Sequence, residues 1–91
     1  MKKAIIFPWT PVEFSKYDAS AIQALARGEA SDRQQQRALN WILNNLCELH
    51  GLSYRPDEGG GDRGTAFAEG KRFVALQICK VINTNLDNLK E

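Results

Sequence analysis

Apolar positions recur with helical spacing in three stretches of the chain. The first predicts a helix from about Lys16 to Arg27, with Ala19, Ile22, Leu25 and Ala26 as a narrow stripe. Ser15 and Asp18 have the spacing of a capping box, and Gly28 supplies the stop. The second predicts a helix from about Asp32 to His50, opened by Ser31-Asp32-Arg33-Gln34 and closed by Gly51. Ala38, Ile42, Leu46 and Leu49 form its main face, widened by Leu39, Trp41 and Leu43. Arg33, Arg37, Asn40, Asn44 and Glu48 lie opposite, on the side expected to meet water.

The third stretch predicts a helix from about Thr65 to Leu86, capped by Thr65 or Asp62. At 100° per residue, Phe67, Gly70, Phe73, Val74, Gln77, Ile78 and Val81 share one face, which by size and apolarity reads as the packed one. Gly70 sits at its centre. Glycine there forgoes about 1 kcal/mol of helix propensity, so close approach of another helix is expected. The opposite face carries Ala68, Arg72, Ala75, Leu76 and Cys79, few of which are residues that favour solvent. It is expected to be covered, either by the N-terminal arm or by a partner.

Residues 1–14 read as extended, because Pro8 and Pro11 fix φ and turn Phe7 and Thr10 away from helix. Ala4 to Phe7 has the composition of a short strand, but no second strand is there to pair it. An apolar arm over the helices, anchored by Phe7, Trp9 and Phe14, is the better reading. Asp57 to Gly64 is a Gly- and charge-rich stretch expected to be a mobile loop, and Asp87 to Glu91 a frayed tail. The fold class is therefore all-α: one small three-helix domain, an extended arm over 1–14 and a helical core over 15–86.

Composition narrows the function. Hydrophobic residues make up 43% and charged residues 25%, as in ordinary globular domains. A net charge of +1 speaks against a nucleic-acid binder driven by electrostatics. Cys47 and Cys79 fall within helical patterns and read as buried thiols in a reducing, cytoplasmic setting. Met1 to Trp9 mimics a signal peptide, but Pro8 breaks its short apolar run, so it is read as part of the mature fold. No stretch approaches the roughly 20 apolar residues of a membrane span.

No constellation amounts to a catalytic centre. Cys47, His50 and Cys79 are three soft ligands where a structural zinc wants four. A Cys47–His50 nucleophile pair lacks an orienting third group. The stretch Gly59 to Thr65 lacks the Gly-Lys-Ser/Thr ending of a phosphate loop, and Asp57, Glu58 and Asp62 would repel phosphate. No catalytic, cofactor-binding or metal-binding residue is expected. One alternative has a residue pattern: the first two helices as a helix-turn-helix, with Arg33, Gln34 and Arg37 as base-reading types at the start of the second. Against it, Gln34 stands where that motif wants an apolar residue.

The segment Asp62 to Ile78 carries a phenylalanine, then Gly-x-Arg, then an aliphatic run: Phe67, Gly70, Arg72 and Val74-Ala75-Leu76. With Arg37-Ala38-Leu39-Asn40-Trp41-Ile42 and Tyr54-Arg55-Pro56 upstream, residues 16 to 86 resemble a family of small tailed-phage proteins typified by one from a Bordetella phage. The resemblance implies a phage or prophage origin and a non-enzymatic role. That role is expected in virion structure or assembly, in the host cytoplasm or the virion, through contacts with phage structural proteins or with itself. The expected interaction residues are Phe67, Gly70, Arg72, Ala75 and Leu76. A DNA-binding or packaging role through Arg33, Gln34 and Arg37 is the alternative.

Overall fold

The computed structural model describes residues 6–89. It is all-α, with three α-helices: α1 (Lys16–Ala26), α2 (Asp32–Asn40) and α3 (Gly61–Ile82). No strand occurs among the described residues. Of the expected strand or arm, residues 1–5 lie outside them. The rest of the arm begins with a tight turn, in which Phe7 and Thr10 exchange hydrogen bonds of 2.9 and 3.0 Å across Pro8.

Both expected capping boxes form. Ser15 Oγ accepts from the Asp18 amide and the Asp18 carboxylate from the Ser15 amide; Ser31 and Gln34 repeat the exchange. Each box satisfies two of the amides a helix start leaves unpaired. Helix α2 runs back along α1 in the opposite sense. Arg37 Nε donates to Asp18 Oδ1 at 2.9 Å, and Trp41 Nε1 to the Glu13 carbonyl at 3.3 Å. The two helices bury Ala21, Ala24 and Ala38, so the hairpin is close because its contact residues are small. The sequence stripe had put Leu25 inward, yet Leu25 is exposed.

The second helix does not continue as α-helix to His50. From Trp41 to Leu46 it is a π-helix, with the Cys47 amide donating to the Ile42 carbonyl at 2.9 Å. A π-turn holds one more residue than an α-turn. The buried position after Ala38 and Ile42 therefore moves from Leu46 to Cys47: Leu46 is exposed and Cys47 buried. Glu48 then takes φ +51°, the left-handed region a non-glycine residue seldom adopts, and the chain turns away from the helix.

The glycine-rich stretch is ordered. Asp57–Gly59 forms a 3-10 turn, and the Gly59 and Gly61 amides both donate to the Pro56 carbonyl, at 2.8 and 2.9 Å. Gly60 has φ +113°, and a Cβ there would lie 3.0 Å from both Gly64 and the Trp9 ring. The third helix starts at Gly61, one turn before Thr65. Thr65 does not cap it; its hydroxyl accepts from the Arg55 amide at 2.8 Å. The helix ends at Ile82, short of Leu86, because Asn83 and Thr84 side chains donate to the Cys79 and Lys80 carbonyls. A short 3-10 turn, Leu86–Asn88, stands where fraying was expected; residues 90–91 lie outside the described residues.

The molecule is flat, 47 × 35 × 17 Å, with a radius of gyration of 16.0 Å, where a compact chain of this length has about 12 Å. Among the described residues the buried apolar ones are Pro8, Ala21, Ala24, Ala38, Cys47, Ala68 and Ala75, and no large side chain is fully buried.

Candidate functional site

Helix α3 presents its two faces the other way round from the sequence reading. Gly64, Ala68 and Ala75 are buried, with Lys71, Arg72 and Cys79 partly so along the same strip. This strip meets the Trp41–Leu46 segment and the 3-10 turn at Asp57–Gly59. Arg72 Nε donates from it to the Leu49 carbonyl at 3.3 Å. The strip is thus covered within the chain by the π-helical segment and its exit. The arm reaches α3 elsewhere: Trp9 meets Phe67 edge to face at 5.8 Å, and Lys71 Nζ donates to the Pro8 carbonyl at 2.8 Å.

The face read as packed is instead outward. Phe73 is 63% exposed, Val74 49% and Phe67 44%, with Val81 and Ile82 also exposed. Among the described residues, no heavy atom lies within 4 Å of the place a Cβ of residue 70 would occupy. Close approach to Gly70 within the chain is therefore corrected: the site is open. The glycine that does mediate close approach is Gly64, where a Cβ would come within 2.8 Å of the Gly59 carbonyl oxygen. Small residues face inward because α3 lies close over a short, irregular segment. At that distance, methyl groups and hydrogens fit and phenyl rings do not.

Of the expected interaction residues, Phe67 and Gly70 lie on the outward face, Arg72 and Ala75 on the inward one, and Leu76 is exposed on a third side. The structure therefore does not gather the five into one surface. The exposed apolar residues that join Phe67 and Gly70 are Phe73, Val74 and Val81. The spacing of Phe67, Gly70, Val74, Gln77 and Val81 already marked this stripe; what the sequence lacked was the sign of the face.

A charged clasp fixes how α3 leaves the loop. The Glu48 carboxylate lies 2.9 Å from Lys71 Nζ and 3.5 Å from the Arg55 guanidinium. Arg55 also donates to the Leu52 and Tyr54 carbonyls. Beside it, burial pushes the Cys47 thiol above its ordinary pKa, against the opposing charge of Lys71. Cys47 and Cys79 are both free thiols. Among the described residues no three His, Cys, Asp or Glu side chains are grouped to hold a metal ion.

The residues of the DNA-binding alternative are largely engaged inside the α1–α2 hairpin. Gln34 closes its capping box. Arg37 pairs with Asp18 and lies over the Tyr17 ring, 5.5 Å from its centroid. The Ser15 amide, helped by Ser15 Oγ and Arg37, holds the Asp18 carboxyl below its usual pKa. Arg33 is exposed beside a shallow depression lined by Tyr17, Ser20, Gln34 and Arg37. A second depression, of about 230 Å³, lies between Phe14, Ala19, Ile22 and Trp41 and is mainly apolar.

Comparison with protein-family models, curated proteins and solved structures finds no match to this chain. Among the described residues, no helix is long and apolar enough to cross a membrane.

Proposed function

We propose that the protein is a non-enzymatic association module whose working surface is the outward face of α3. One observation carries this: Phe67, Phe73, Val74 and Val81 of α3 are exposed, while the buried apolar residues among those described are small: Pro8, five alanines and Cys47. Exposed apolar area in contiguous patches marks a surface that meets another protein. The resemblance of residues 16 to 86 to small tailed-phage proteins gives that role a setting, namely virion structure or assembly in an infected host. The nucleic-acid alternative is weaker, since Gln34 and Arg37 already have partners within the chain.

A photo-crosslinking residue tests the reading. Placed at Phe73 in cells producing the protein, it should join the chain to a polypeptide; placed at Arg33, it should join it to neither protein nor nucleic acid. Crosslinks from Arg33 to nucleic acid, with none from Phe73, would refute the reading in favour of DNA binding.

A further inference from the structure

We infer that the outward face of α3 pairs with the same face of a second copy of this chain, the two helices antiparallel about a two-fold axis near Val74. The inference rests on the association reading above and names its partner.

The first argument is area. The chain exposes 7652 Å², whereas a compact monomer of its mass exposes about 5,300 Å². The difference, about 2,300 Å², is well above the roughly 800 Å² per partner of a standard interface. A chain so poorly buried gains most from a partner present whenever it folds, and a second copy always is.

The second is shape. Phe67, Gly70, Val74, Gln77 and Val81 recur at i, i+3, i+7, i+10 and i+14, the period of a two-helix seam. Gly70 leaves a notch in this ridge that none of the described residues fills. An axis at Val74 sets Gly70 opposite Ile78 of the copy and Phe67 opposite Val81 of the copy. In these two pairs a larger side chain meets a smaller one, and the relation is reciprocal, as a two-fold interface requires.

The third is charge. Glu69 and Lys80 lie on the same flank of α3, both exposed. Antiparallel pairing about Val74 brings Glu69 of each copy beside Lys80 of the other. Parallel pairing would put this flank of the two copies on opposite sides of the seam, with no contact between Glu69 and Lys80. The net charge of +1 offers little opposition to self-association.

The mass in solution tests the inference, measured by sedimentation equilibrium across a wide concentration range. The wild-type chain should give twice 10.2 kDa. Val74→Glu should weaken the dimer at least tenfold while keeping its helical circular dichroism, because Val74 is half exposed in the single chain. Glu69→Lys should weaken it too, and adding Lys80→Glu should restore it, a rescue that a mere folding defect cannot produce. In a Cys47→Ser, Cys79→Ser background, Val74→Cys should oxidise to a covalent dimer and Leu76→Cys should not. A wild-type chain that stays monomeric throughout would overturn the pairing while leaving the crosslinking test of the wider reading intact. A dimer indifferent to Val74→Glu, or one in which Leu76→Cys crosslinks as readily as Val74→Cys, would also overturn it.

Discussion

Ala75→Glu should strongly destabilise the protein and lower its melting temperature. Ala75 is 0% exposed, at the middle of the strip by which α3 lies on the Trp41–Leu46 segment. A glutamate there has no room for its side chain and no water for its charge. The nearest cations along the helix are Arg72 and Lys71, three and four residues back, and both are already engaged, Arg72 with the Leu49 carbonyl and Glu69, Lys71 with Glu48 and the Pro8 carbonyl. A buried charge without a partner of its own costs about 3–5 kcal/mol, a large share of the 5–15 kcal/mol typical of a small domain. Thermal melting followed by circular dichroism should show the loss, whereas Ala75→Ser should melt within a few degrees of wild type. A variant that keeps its melting temperature and loses only an association would show that Ala75 faces a partner.

Gly64→Ala should also destabilise, by less, although it adds only one methyl group. The new Cβ would sit 2.8 Å from the Gly59 carbonyl oxygen and 3.3 Å from Arg55 Cβ. The first of these is backbone, held in place by the Gly59 and Gly61 amides on the Pro56 carbonyl. It cannot swing aside as a flexible side chain does. Overpacking of this kind costs about 1–3 kcal/mol, and the gain in helix propensity of about 1 kcal/mol does not offset the upper part of that range. Gly70→Ala is the control. With nothing within 4 Å, it should leave the stability of the single chain unchanged or raise it. Urea denaturation that ranks the two variants the other way would mean that α3 is rotated from the orientation described.

The class of fold was legible in the sequence, and so were the local signals at helix starts. Ser15 with Asp18 and Ser31 with Gln34 are short-range devices, complete within four residues, and both form as their spacing predicts. What the sequence hid were features set by distance between elements. Helical periodicity locates two faces on α3 but does not say which lies inward. Size and apolarity favoured Phe67, Phe73 and Val74, yet the close approach of the π-helical segment selects Gly64, Ala68 and Ala75. The π-turn was hidden for a related reason, since one added residue shifts the buried position from Leu46 to Cys47 without leaving a residue signature. The glycines at 59 to 64 looked like the composition of a mobile loop, and they are there because backbone meets backbone. The candidate surface was half legible: Phe67 and Gly70 lie on it, but Arg72 and Ala75 belong to the packing beneath.

Hydroxyl-radical footprinting of the protein as it exists in solution at working concentration, compared with high dilution, is the most direct measurement of whether the outward face of α3 pairs with that of a second copy. Phe67 and Phe73 should be protected at working concentration and become reactive on dilution, while Tyr17 and Tyr54, exposed on other elements, should react equally in both. Phe67 and Phe73 equally reactive at every concentration would contradict the pairing of this face with a second copy.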